Sequence, residues 1–256
     1  MSKNETISDS IQKTKKGFEE SFESGVFYNK QTQDKEHLNL IIDCLPIKEG
    51  MKILDLGTGT GYLSFPLARM FLDAKIIGLD IVEKALEANR QQALEENLFN
   101  LYFVSYDGIT FPFANEEFDM IITRYALHHF PIINDTFHEI RRILKPQGTL
   151  FISDPAPNDD DDERFVDAYM QMKMDGHIKF YTKVEWIELG KKYDLEYEKG
   201  FETTIRFPKK RDTAPEFDNM INKYDDKIIK GYDLEITEDE IYITEKVNNL
   251  IFYKNI

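Results

Sequence analysis

Three kinds of residue in this chain could carry chemistry, and their spacing suggests which. Gly57, Gly59 and Gly61 fall within five positions directly after the apolar run Met51, Ile53, Leu54 and Leu56. Without Cβ atoms such a run turns sharply at positive φ and lets a ligand lie against main-chain N–H groups. A second apolar run, Lys75–Leu79, ends at Asp80. From Gly57 to Asp80 is 23 positions, close to the roughly 20 at which βαβ nucleoside sites place a carboxylate on ribose hydroxyls. Further along stand a second carboxylate, Asp107, and the adjacent imidazoles His128 and His129, which can move protons near neutral pH. A nucleoside-containing ligand is the first expectation.

The glycine spacing narrows it. A dinucleotide fingerprint G-x-G-x-x-G counted from Gly57 would need a sixth-place glycine, where Tyr62 stands, and the third glycine comes one residue early at Gly61. That counts against a nicotinamide cofactor. No lysine follows the glycines, so this is not a phosphate loop of the G-x-x-x-x-G-K-[ST] kind.

These residues need elements to hold them. The run before Gly57 reads as a buried parallel strand, followed by a helix over Tyr62–Phe71 in which Pro66 is acceptable near the start. Asp80 closes the next strand, and a long helix over Val82–Asn97 follows, with Val82, Leu86, Ala93 and Leu94 as its inward stripe. Leu101–Ser105 and Glu116–Tyr125 read as the third and fourth strands, Asn134–Leu144 as a helix capped by Asn134 or Asp135, and Thr149–Ser153 as the fifth strand. Strands alternating with helices of this length make a parallel sheet with right-handed crossovers, an α/β class. Ligands in such sheets sit beyond the carboxyl ends of the strands where strand order reverses, which places Arg124, Tyr125, His128 and His129 at the crevice.

Composition bounds the partners. A net charge of −15 disfavours a surface that tracks phosphates, so long nucleic acids are not expected partners. The single cysteine, Cys44, excludes an intramolecular disulfide. Neither an apolar leader nor an apolar run near 18 residues is present, so a cytoplasmic, non-membrane protein is expected. Residues 1–16 read as polar and frayed; Phe18 and Phe22, one helical turn apart, suggest a short amphipathic helix docking on the core.

The string Asp55-Leu56-Gly57-x-Gly59-x-Gly61 resembles motif I of the class I S-adenosylmethionine (SAM) methyltransferases. The later strings F-D-x-I-x-x-R-Y-A-L-H-H-F and E-I-x-R-x-L-K-P-x-G-x-L-F-I, within Phe118–Ile152, are similar to the type 11 branch of that family. This branch includes ubiquinone and menaquinone C-methyltransferases. The resemblance runs from about Met51 to Asp154. It implies a Rossmann-like, doubly wound, seven-stranded sheet with an antiparallel last strand, SAM as cofactor, and a small-molecule methyl acceptor. It implies cofactor contacts from Asp55, Gly57, Thr58, Gly59 and Gly61, from Asp80 and Ile81 at the ribose, from Asp107 and Gly108 at the adenine, and from Arg124 and Tyr125. It also implies that the segment before residue 46 closes over the cofactor, with Tyr28 as a lid residue, and that His128 or His129 serves as base when the acceptor must lose a proton. Two rivals remain at this stage: a SAM-binding sensor or scaffold that transfers nothing, and an NAD-dependent oxidoreductase.

Beyond the fifth strand the chain matches no motif. The acidic run Asp159–Glu163 reads as solvated and no metal is expected. The run Phe165–Met174 reads as part of a helical insert over about 158–190, a core segment or an adaptable roof over an apolar acceptor. Thr182 with Glu185 makes a capping box, Leu195–Phe207 alternates like a strand, Pro208–Thr213 reads as a solvated basic turn, Asp212–Lys230 as helical, and Val247–Tyr253 as a final strand.

Overall fold

The computed structural model describes residues 6–23, 34–173, 175–211 and 216–255. Two helices precede the sheet: α1 (Ile7–Glu23) and α2 (Lys35–Cys44). The Asp34 side chain accepts the N–H groups of Glu36 and His37 and so starts α2, and Pro46 follows its end. Alternation then sets in with β1 (Lys52–Leu56), α3 (Ser64–Met70), β2 (Lys75–Asp80), α4 (Glu83–Glu95), β3 (Leu101–Ser105) and β4 (Phe118–Arg124). Next come α5 (Ile133–Ile143), β5 (Leu144–Ala156), α6 (Phe165–Gln171), α7 (Lys183–Lys192) and β6 (Leu195–Lys210). The short helices α8 (Phe217–Ile221) and α9 (Asp226–Lys230), a two-residue β7 (Glu235–Ile236) and β8 (Glu240–Lys254) follow.

The sheet order is β3-β2-β1-β4-β5-β8-β6, with β7 paired on β8. The first five strands are mutually parallel, and β8 runs antiparallel between β5 and β6. The expected mostly parallel sheet with an antiparallel last strand is therefore what forms, with eight strands among the described residues rather than seven because of the short β7. Strand order reverses between β1 and β4, and the crevice opens there.

Both faces of the sheet are covered, which is why β1 and β4 read as unbroken apolar runs. On one face Ile53, Ile76, Met120, Ile122 and Phe151 pack under α2, α3 and α4. On the other, Leu54, Ile77, Ile121 and Leu150 pack against Phe137 and Ile140 of α5 and Trp186 of α7. A third cluster joins α6, α8 and α9 to the outer end of β8 through Phe165, Tyr169, Phe217, Tyr232 and Ile241.

Several sequence expectations need correction. Residues 7–16 are not frayed; they form most of α1. Leu94 points outward from α4, 67% exposed, because the buried stripe of that helix is Ala85, Leu86, Asn89 and Ala93. Neither Asn134 nor Asp135 caps α5; Ile132 holds that position and makes no side-chain cap. Asp161, in the run read as solvated, is buried: its carboxylate accepts the N–H groups of Phe165 and Val166 and the Tyr232 hydroxyl. The capping box at Thr182 and Glu185 forms as the sequence indicates. Among the described residues no helix is long and apolar enough to cross a membrane.

Candidate active site at the strand ends

The glycine turn is built by shape and then braced by side chains. Gly57 has φ +72°, and a Cβ placed on it would come within 2.4 Å of the Ala126 Cβ, so no side chain fits there. The Gly59 N–H donates to Asp80 Oδ2 at 2.8 Å, and the Val82 N–H donates to Oδ1 at 2.9 Å. From α4, the Asn89 side-chain amide donates to the Gly59 carbonyl at 2.8 Å. Asp55 is buried beneath the turn, where its Oδ2 accepts the Thr58 and Ser64 hydroxyls at 2.8 and 2.6 Å; burial pushes its carboxyl up to about 6. Asp55 is therefore a brace for the turn as well as a wall residue.

Asp55, Gly57, Thr58 and Val82 line one cavity of about 590 Å³ together with Gly59, Asp80, Ile81, Gly108, Arg124 and Tyr125, while Ser64 and Asn89 brace the turn from behind. The Arg124 guanidinium lies between the rings of Tyr62 and Tyr125, 3.9 Å from each centroid. Among the described residues its buried Nε and Nη2 have no hydrogen-bond partner. A guanidinium with two unpartnered nitrogens beside a glycine turn can receive a carboxylate. Tyr125 adopts a left-handed backbone (φ +55°), which turns the chain off β4 and over the crevice.

The two histidines follow in a single 3₁₀ turn, Leu127–His129. His128 Nδ1 lies 3.0 Å from Asp154 Oδ1, at the end of β5. Burial disfavours the charged form of each partner, holding the imidazole well below its ordinary value and the carboxyl well above. With Nδ1 donating to Asp154, the tautomer that contact selects, Nε2 carries the lone pair. His129 packs edge-on against Phe18 of α1, with ring centroids 4.9 Å apart, and its buried Nδ1 has no partner among the described residues. The α1 helix roofs the cavity with Ile11, Thr14, Phe18 and Ser21.

Among the described residues two candidates do not line the cavity: Gly61, whose N–H donates to the Thr58 carbonyl at 2.8 Å within the turn, and Asp107. Its Oδ1 accepts the N–H groups of Ile109 and Thr110, so the carboxylate closes an Asp-Gly turn, while Tyr106 and Gly108 on either side face inward. Tyr28 lies outside the described residues.

Sequence reasoning missed the far wall. Lys209, placed in a solvated basic turn, sits in β6 and is buried; its ammonium donates to the Tyr169 carbonyl and lies 4.0 Å over that ring. Burial pulls it down to about 7. Asp175 pairs with Lys173 at 3.0 Å, and Glu245 of β8 lines the same wall. Asp154, read only as the end of a strand, is the partner of His128. His177 lies behind this pair and contacts Asp167 Oδ1 at 2.9 Å. None of these has a local signature, because they meet through strand pairing and not through spacing.

Residues 47–200 match the family described as methyltransferase domain. The uncharacterized methyltransferase YcgJ of Bacillus subtilis is 27% identical over 164 residues, covering 64% of each chain. The demethylmenaquinone methyltransferase of Listeria monocytogenes is 27% identical over 139 residues, covering 54% of this chain and 59% of that one. The aligned part is thus less than two thirds of either relative. The crystal structure of YcgJ superposes with a TM-score of 0.76 at 21% identity, covering 87% of this chain and 100% of that one. That of a phosphoethanolamine N-methyltransferase from Haemonchus contortus, in complex with phosphomonomethylethanolamine and S-adenosylhomocysteine, superposes at 0.61 with 16% identity, covering 87% of this chain and 53% of that one. With its sheet order, its glycine turn and a match across more than half its length, the chain belongs to the methyltransferase domain family, in the class I, type 11 group of SAM-dependent methyltransferases.

Proposed function

We propose that this protein transfers a methyl group from SAM to a small-molecule acceptor. The observation that carries the reading is the convergence of three features on one cavity: a glycine turn with no room for a side chain, a half-buried strand-end carboxylate at Asp80, and the Arg124 guanidinium, whose buried Nε and Nη2 have no partner among the described residues. In this reading Gly57–Gly61 and Arg124 hold the amino-acid part of the cofactor, Asp80 and Ile81 the ribose, and Tyr106 with Gly108 the adenine side. Thr58 and Asp55 hold the turn in shape, and Tyr125 flanks Arg124. When bound, SAM supplies a methyl group on a sulfonium that needs no acid to leave.

The protein's work is then positioning and exclusion of water, an effect worth about 7–11 kcal/mol when reactants are well aligned. Roofing by α1 and the aromatic wall supply the exclusion. His128, with its lone pair on Nε2 and Asp154 behind Nδ1, can receive a proton where the acceptor must lose one. Tyr62 at the sixth place departs from the dinucleotide fingerprint, and the family match is to a methyltransferase domain, so the oxidoreductase reading is set aside.

Calorimetric titration tests this directly. SAM and S-adenosylhomocysteine should bind the wild-type protein, and Asp80→Ala should weaken both at least tenfold. Tight binding of a nicotinamide dinucleotide, or SAM binding unchanged in Asp80→Ala, would sink the assignment. Incubation of methyl-labelled SAM with a panel of small acceptors separates an enzyme from a sensor.

A further inference from the structure

Glu245 is a buried carboxyl that the fold leaves unanswered among the described residues. It is 0% exposed, lines the cavity, and has no hydrogen-bond partner for either carboxyl oxygen among the described residues. A buried carboxyl with both oxygens unsatisfied is costly and calls for an explanation at a site. Its position is the acceptor side of the cavity: β8 brings it opposite Ile205 of β6, a few residues beyond the pairing of Val247 with Pro155 at the end of β5. The cofactor residues lie on the other side, at the ends of β1, β2 and β4.

The surroundings say what would satisfy it. Tyr125, Tyr169, Phe180 and Phe207 line the same cavity as Glu245, with Arg124 already over the Tyr125 ring and Lys209 over the Tyr169 ring. The nearby cations are already engaged: Lys173 with Asp175 at 3.0 Å, and Lys209 with the Tyr169 carbonyl and ring. Neither hydrogen-bonds Glu245. A hydroxyl brings one donor to a carboxyl that can take several. An amine nitrogen brings two or three, and its charged form is also attracted by aromatic faces.

We infer that the methyl acceptor is a small primary or secondary amine with an apolar body, seated with its nitrogen against Glu245 and its body among these aromatic rings. This rests on the methyltransferase reading above and names the substrate class of that site. Glu245 and the amine together hold one proton between them. Burial, which pushes Glu245 up to about 8, brings the carboxyl towards the range of an ammonium, so the proton can pass from nitrogen to carboxylate and free the nitrogen lone pair. The nitrogen then bonds to the methyl carbon as the carbon–sulfur bond breaks, the bond's electron pair stays on sulfur, and the positive charge passes to the methylated nitrogen.

The test uses the full chain saturated with S-adenosylhomocysteine and titrated by calorimetry with benzylamine and with benzyl alcohol, a pair alike in shape. Wild type should bind benzylamine at least tenfold more tightly than benzyl alcohol. Glu245→Gln, which keeps the shape, and Glu245→Leu, which removes the polar atoms, should each abolish that preference while leaving S-adenosylhomocysteine affinity within twofold. Nucleoside binding with no preference for the amine, or a preference that survives Glu245→Gln, overturns the inference alone. Failure of wild type to bind S-adenosylhomocysteine overturns the methyltransferase reading and the amine with it.

Discussion

At the scale of single residues, the buried ionisable groups make the site sensitive to pH in a way whose sign is fixed. Glu245 sits at about 8 in the fold against 4.5 when free, so the native state binds more protons through that interval. Its contribution to stability is complete below about 4.5 and is lost as pH rises through about 8. Lys209, lowered from 10.5 to about 7, acts oppositely: the stability it withholds returns as pH rises through that window. Glu245→Gln should therefore gain about 1 kcal/mol or more over wild type at pH 8 relative to pH 5, read by urea denaturation at the two pH values. A parallel pair of curves would mean that Glu245 is ionised and solvated in the fold. His128→Asn should lower turnover at least tenfold while changing S-adenosylhomocysteine affinity less than threefold, measured by labelled-methyl transfer and calorimetry; equal losses would make the ring a cofactor or structural residue. Asp80 and the glycines were legible because their meaning is local, set by 23 positions of chain. Glu245 was not, because it faces the cavity only once β8 has paired with β5 and β6, some ninety residues from one partner and forty from the other.

At the scale of elements, the turn after β1 is the least tolerant point of the fold. Gly57→Ala places a methyl 2.4 Å from the Ala126 Cβ and asks an L-residue to hold φ +72°. Either the turn or the strand end at Ala126 must move, and S-adenosylhomocysteine binding by calorimetry should fall at least tenfold with the chain still folded by circular dichroism. The capping box of α7 is an independent device on the opposite face. Thr182→Ala should cost about 1 kcal/mol in urea denaturation and leave nucleoside affinity unchanged. The parallel strands and their helices were readable from apolar runs and turn residues, since each element carries its own periodicity. The extent of β6 was not: alternation fades at Pro208, yet the strand continues to Lys210 because Lys209 pairs with Ile241 of β8. The start of α1 was hidden for a related reason. Its inner face is Ile11, Thr14, Phe18 and Ser21, half of it polar, so no apolar stripe announced the helix that closes the cavity.

At the scale of the whole molecule, a ligand that binds only the native state stabilises it by mass action. S-adenosylhomocysteine at one hundred times its dissociation constant should add about 2.7 kcal/mol, or roughly 5–10 °C in melting temperature for a chain of this size. No shift at saturating concentration would contradict a nucleoside site in the cavity. The class of fold was legible throughout because both faces of the sheet are covered and the apolar runs say so; the acceptor half is where the family pattern ends and long-range pairing takes over. The α1 helix spans both halves. Ile11 packs over Gly108 at one end of the cavity, while Phe18 meets His129 and Thr14 abuts Gly176 at the other. One beam thus covers the chamber from end to end, so the seals at its two ends belong to a single helix and loosen together.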